Sequence, residues 1–271
     1  MLRYEKIEDI SDGKLYGEDD EVCVGTNGCK GCSYCCKSDM GKSIVLTPYD
    51  MYELNLVTGK SFDELLVEFV IELSMIDGIV MPHLKMDGGC KFLKDDRCSI
   101  HLHRPGICRL FPLGRLYNES GFDYIVQTDQ CQIKERTPVK VSDWLGIDEL
   151  DKNTEFINKW HRFVKFERKK VSSIREMAGH EARRIREMAV EDLEVYAGII
   201  GEQEDFEEKG AESYRSEKIE EINETSEATI KEVMKRCISI LYLDKYDTTS
   251  DFYEQFDKRL RRTISEIRGM N

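Results

Sequence analysis

Four cysteines in eight residues, Cys29-Lys-Gly-Cys32-Ser-Tyr-Cys35-Cys36, constrain this chain more than any other stretch. Three more thiols follow at Cys90, Cys98 and Cys108, and an eighth at Cys131. In a reducing compartment such density points to metal or redox chemistry rather than to disulfides. The Cys-x-x-Cys-x-x-Cys spacing lets one loop wrap three corners of a [4Fe–4S] cluster, with the fourth ligand from elsewhere. Zinc accepts the same Cys-x-x-Cys pairs, completed by two further Cys or His. Thiolate softness excludes magnesium and calcium, whose sites are built from oxygen. The vicinal pair Cys35-Cys36 adds a constraint, because adjacent side chains diverge and one of the two is expected to face a second position or none. The expected ligands are Cys29, Cys32, Cys35, Cys36, Cys90, Cys98, Cys108 and Cys131, in one site or two.

Other residues bear on that site. Arg104 and Arg109 lie in a loop fixed by Pro105 and Pro112, where a cation can offset thiolate charge. His101 and His103 sit between Cys98 and Cys108 as ligands or as hydrogen-bond partners of ligands. Cys23 is left out of the set, and Cys237 falls on an apolar helical stripe and reads as core.

A net charge of −13 argues against nucleic acid as the main partner, since phosphate contacts need a basic surface. No run approaches the roughly 18 apolar residues of a membrane span. The N-terminal residues lack the basic-then-apolar profile of a secretory signal, so the cytoplasm is the expected compartment. No phosphate loop, dinucleotide fingerprint or Ser/His/Asp set marks another enzyme class.

The expected fold is α+β. A peripheral arm covers residues 1–22. A small irregular cysteine-rich metal-binding domain with short strands and two helices covers 23–145, and a mainly α-helical region covers 146–271 as an antiparallel helical bundle. Thr47-Pro48 reads as cap and first residue of a helix to Leu56. Ser61 and Glu64 form a capping box for a second helix with Leu65, Leu66, Phe69, Val70 and Leu73 turned inward. Residues 79–85 read as a strand, and 94–97 as a hairpin turn. Residues 114–131 read as a hairpin whose return strand ends at Cys131. Beyond residue 150, apolar residues from Trp160 to Val195, from Ile219 to Ile240 and from Phe252 to Ile267 recur at helical spacing. Residues 159–188 carry a net charge of +6 and 190–232 carry −11, which predicts an antiparallel pairing of oppositely charged helices.

Several separate motifs agree on one resemblance. The cluster loop, Leu46-Thr-Pro-Tyr-Asp50, Cys90-Lys-Phe-Leu93, Cys98-Ser-Ile-His101 and Arg104-Pro-Gly-Ile-Cys108-Arg-Leu-Phe-Pro112 together resemble the CxxCxxCC cysteine-cluster family, zinc- or iron-chelating and also called YkgJ-like. The resemblance covers about residues 23–133 and implies a metal or iron–sulfur domain with those eight cysteines as the matching positions. The family includes flagellin lysine N-methylases, which use S-adenosylmethionine and an iron–sulfur cluster. Three readings therefore stand open. The first is a metal-binding protein with a structural or redox site, and the second is a cluster-dependent protein lysine N-methylase. The third is a zinc-stabilised scaffold that binds a protein partner through its long helices.

Overall fold

A computed structural model describes residues 7–26, 32–37, 44–200 and 208–270. Cys29 lies outside the described residues. The architecture is α+β, with short strands and helices in the first half and long helices in the second.

A short helix α1 (Ile7–Ile10) opens the chain, and the segment after it pairs by isolated bridges, Ser11 with Gln127 and Tyr16 with Tyr124. Strand β1 (Glu21–Gly25) follows, and then α2 (Tyr34–Lys37), which carries Cys35 and Cys36. Residues 44–46 run extended, and α3 (Pro48–Thr58) starts on a capping box in which Thr47 and Asp50 exchange hydrogen bonds. Helix α4 (Phe62–Val67) starts on the predicted box of Ser61 and Glu64.

That second helix is shorter than its apolar spacing predicts. It stops at Val67, Phe69 takes φ = 54°, and the chain turns into β2 (Ile71–Ile76) and β3 (Ile79–Leu84). Phe69 and Leu73, expected inward, are 61% and 43% exposed. The competing signal is Asp77-Gly78. Both residues take positive φ, at 49° and 87°, as a two-residue hairpin turn matching strand twist demands. The extended segment 44–46 flanks β3, with the Leu46 N–H donating to Pro82 O at 2.8 Å and the Leu84 N–H to Ile44 O at 3.0 Å.

Short pieces then carry most of the remaining thiols. Strands β4 (Leu93–Lys94) and β5 (Arg97–Cys98) flank a turn at Asp95-Asp96, where φ is 49° and 55°. A 3₁₀ turn covers His101–His103, and α5 (Gly106–Leu110) holds Cys108. Strands β6 (Leu113–Tyr117) and β7 (Phe122–Val126) form the expected hairpin. Its return strand ends at Val126, so Cys131 sits in the loop beyond it rather than at the strand end. That loop leads to β8 (Thr137–Lys140), which pairs antiparallel with β1. A Cβ at Gly25 would lie 2.3 Å from Thr137 Oγ1 and 2.8 Å from its carbonyl oxygen, so this crossing requires glycine.

Helix α6 (Val141–Leu145) ends on Gly146, and α7 (Leu150–Glu187) runs for 38 residues. A break at Met188 separates α7 from α8 (Val190–Ile199), so Val195 does not share its helix and is 63% exposed. Helix α9 (Glu208–Ile238) passes into a π-helical turn (Ser239–Leu243), and α10 (Phe252–Arg268) closes the chain.

Helices α7 and α9 pack antiparallel, since Met188 meets Arg215 while Arg175 meets Glu227. One described ion pair joins the two helices, Arg175 with Glu227 at 3.6 Å. Apolar side chains make the seam, among them Val171, Ile174, Ile230, Val233 and Met234 in the main core. The same core takes in Leu46, Met51, Leu54, Leu65 and Ile71, and Cys90, Cys98 and Cys108 pack against its edge. No helix among the described residues is long and apolar enough to cross a membrane.

Candidate metal centre

Each thiol-bearing segment is held by a turn of its own, and the turns are tied together. The Cys36 and Lys37 N–H groups both donate to Ser33 O at 3.0 Å, which closes the α2 turn. Ser33 Oγ donates to Asp96 Oδ1 at 2.9 Å and Lys37 Nζ pairs with the same oxygen, so α2 is fastened to the β4–β5 turn. The Cys90 N–H donates to Cys36 O at 2.9 Å. The Cys90 carbonyl in turn accepts the Leu93 N–H at 3.0 Å, and Phe92 O accepts the Ser99 N–H at 2.7 Å. These links bring residues far apart in sequence to one place.

The loop carrying Cys108 is docked by two acids from α3. Asp50 is 3% exposed and accepts from the Gly106 N–H and from the Thr47 N–H, both at 2.7 Å. Burial raises the Asp50 pKa above the usual carboxylate range while these donors pull it down. Glu53 Oε2 lies 2.9 Å from His103 Nδ1 and 3.8 Å from Arg109. Arg109 also donates to the carbonyls of Leu102, Arg104 and Gly146, so it clamps the proline loop onto α6.

Cys35, Cys36, Cys90, Cys98 and Cys108 lie close enough to perturb one another electrostatically. Cys36 donates its S–H hydrogen bond to Cys35, which lowers the Cys35 pKa to about 6 against the pull of burial. The same bond, with burial, raises Cys36. Burial raises Cys90, Cys98 and, most of all, Cys108, where the Asp50 carboxylate adds to it. Arg104 opposes this trend at Cys35 and Cys98. Its guanidinium meets His101 Nε2, and burial followed by Arg104 lowers the His101 pKa to about 4, which keeps that ring neutral. Of the two arginines expected near the thiols, Arg104 faces them and Arg109 serves the loop.

Cys32 and Cys131 sit to one side. Together with Cys35 they line a cavity of about 30 Å³ whose wall includes Phe111, Ile133 and Trp144. Cys23 is exposed on β1 and Cys237 is buried in the helical core. None of the described cysteines is disulfide-bonded. The donors suit a thiophilic metal, because five free thiols from four separate segments, Cys35, Cys36, Cys90, Cys98 and Cys108, gather near Arg104. Among the described residues, no three His, Cys, Asp or Glu side chains already stand in coordinating geometry. Ligation therefore asks the thiols to turn toward a common ion.

Asp50, Glu53, Trp144 and Arg136 are site neighbours that sequence reasoning missed. Only Asp50 carried a signal, as the acidic third residue of a Thr-Pro helix start.

Comparison with known families now meets this geometry. Residues 28–141 match the model of the CxxCxxCC family, described as a "Putative zinc- or iron-chelating domain". Over those residues the chain is similar to CxxCxxCC domains, and the match covers less than half of it. The match spans every one of the eight expected ligand positions and stops short of the helical half. No curated protein and no solved structure matches the chain.

Proposed function

We propose that this chain is a metal-binding cysteine-cluster protein that holds an iron–sulfur cluster through its thiolates and has a redox role. Zinc is the other metal that the donor set suits. The proposed ligands are drawn from Cys29, Cys32, Cys35, Cys36, Cys90, Cys98, Cys108 and Cys131. The observation that carries this reading is the gathering of five free thiols, Cys35, Cys36, Cys90, Cys98 and Cys108, from four segments. Burial, with the neighbouring thiols and, at Cys108, the Asp50 carboxylate, opposes thiolate formation at Cys90, Cys98 and Cys108, and a bound cation would supply the opposite push. Arg104 offsets part of the remaining negative charge. The lysine-methylase alternative gains no support here.

The test is anaerobic purification with metal and sulfide analysis and a visible spectrum. A coloured protein containing iron and acid-labile sulfide is expected, and Cys98→Ala is expected to lose the colour. A colourless protein with stoichiometric zinc overturns the iron–sulfur part. Metal content unchanged in Cys98→Ala overturns the placement of the site.

A further inference from the structure

The sheet of β2 and β3 has one covered edge and one open one. On the β3 side, Pro82 O accepts the Leu46 N–H and the Leu84 N–H donates to Ile44 O, so Pro82 and Leu84 turn their main-chain groups toward segment 44–46. A residue in an antiparallel ladder turns its N–H and C=O to the same side. Leu73 stands opposite Pro82 and Ile71 opposite Leu84, so both turn theirs away from β3. Met75, opposite Val80, follows by alternation. Among the described residues, no hydrogen-bond partner meets the outward groups of Ile71, Leu73 and Met75. Native edges are blunted by proline, lysine, a bulge or short length. Strand β2 runs for six residues in unbroken register and contains neither proline nor a basic residue. Its Leu73 and Met75 are 43% and 60% exposed, and Val67 and Phe69, just before the strand, are exposed as well.

We infer that this edge is a homodimer interface, in which β2 pairs antiparallel with β2 of a second copy of the chain about a twofold axis at Leu73. The inference is independent of what the thiols hold.

The charge pattern of the strand selects this partner and this register. Centred on Leu73, self-pairing sets Glu72 beside the uncharged Ser74 and Ile71 beside Met75, with Leu73 facing its own copy. Ile71, Leu73 and Met75 then all exchange N–H···O bonds across the axis. Centred on Glu72, the strand would set two carboxylates directly opposite each other, which is unfavourable. Centred on Ser74, Ile71 would run past the partner strand and face the turn at Asp77. The Glu72 pair that the Leu73 axis brings diagonally together is balanced, because each has Lys85 of its own chain at 3.9 Å. The shared face is apolar, since Met75 lies beside Val80 and Leu73 beside Pro82 within each copy. Pairing consumes both open β2 edges, so assembly closes at the dimer.

The test is analytical ultracentrifugation of the full chain, purified anaerobically, over a range of concentrations. A reversible dimer is expected. Leu73→Lys sets two ammonium groups face to face at the axis and Leu73→Glu sets two carboxylates, so each alone should weaken dimerisation by at least about tenfold. An equimolar mixture of the two should dimerise again, because each lysine then meets a glutamate. Hydrogen exchange gives a second readout that needs no variant. The Leu73 and Met75 amides should gain protection as the dimer forms, while the Ser74 amide, which faces β3, stays protected throughout. A chain that is monomeric at every concentration overturns the inference. So does a dimer that both variants leave intact, a mixture that stays monomeric, or a dimer whose Leu73 and Met75 amides remain unprotected. A monomer that protects those amides only when an extended apolar peptide is added gives the edge to another occupant and overturns it equally.

Discussion

Between residues 32 and 131 the thiol-bearing segments are joined largely by polar links: Ser33 and Lys37 to Asp96, Cys90 to Cys36, and Asp50 to Gly106. Helices α3, α7 and α10 are joined instead by rings, with Phe156 and Phe256 centroids 4.7 Å apart and Tyr49 and Phe252 5.1 Å apart. Ring packing is additive over area and tolerates distance in sequence. Polar links in short turns hold position only while each partner stays bonded. The long helices therefore share one ring-packed core with α3, which comes from the cysteine half. The thiol-bearing turns depend instead on the polar links that join them.

The sharpest break in that contrast comes from the ring-packed core. Phe156→Ala removes a ring that is 2% exposed, and large-to-small changes at such sites cost about 3–5 kcal/mol. Urea denaturation should show the loss, with helicity falling earlier than in the unmodified chain. A midpoint within error of the unmodified one would mean that the core does not depend on its ring cluster.

Next is a buried acid among the same helices. Glu167 on α7 is 2% exposed, and burial pushes its pKa up to about 7, against the hydrogen bond with Cys237 and the charge of Arg168. Its native carboxyl binds a proton more tightly than the unfolded one, whose ordinary value is 4.5. The stability it contributes is complete below pH 4.5 and is lost as pH rises through about 7. Linkage puts that loss at about 3 kcal/mol. Glu167→Gln should flatten this part of the stability profile between those limits. A variant that keeps the full slope would assign the pH dependence elsewhere.

A smaller effect tests the polar links. Asp50→Ala strips the acceptor from the Thr47 and Gly106 N–H groups, a loss of about 2 kcal/mol by the usual cost of a cap plus a buried donor. More telling is its place: the Cys108 loop should loosen first, so alkylation of Cys108 should speed up by mass spectrometry while α7 keeps its hydrogen-exchange protection. Equal loosening of both would erase the distinction between the halves. The smallest is Ser61→Ala at the start of α4, about 1 kcal/mol for one cap, read as a shift in thermal midpoint with the metal content unchanged. Loss of metal in that variant would show that α4 reaches the site.

Much of this was readable beforehand, for physical reasons. Caps announce themselves locally, and both boxes, at Thr47 and Ser61, form as their residue types require. Helical spacing over α7, α9 and α10 survives because long helices bury one continuous face. Local signals collided at residues 69–76, where helical apolar spacing pointed one way and the Asp77-Gly78 turn the other. The turn prevailed, because pairing with β3 satisfies a whole strand of backbone groups.

The cysteines mark the opposite limit. Their number and spacing name soft-metal chemistry from sequence alone, since donor type and short-range spacing are properties of the chain itself. Which thiols meet depends on contacts across tens of residues. Only the folded chain seats Cys36 against Cys90, sets Cys35 beside Cys32 and Cys131, and turns Arg104 toward the thiols while Arg109 grips the loop. Lys37 and Lys91 also adjoin thiols in sequence. Tertiary structure commits them to Asp96 and to the Glu68 carbonyl, because a side chain points where its backbone turn aims it and not where its neighbour in sequence lies.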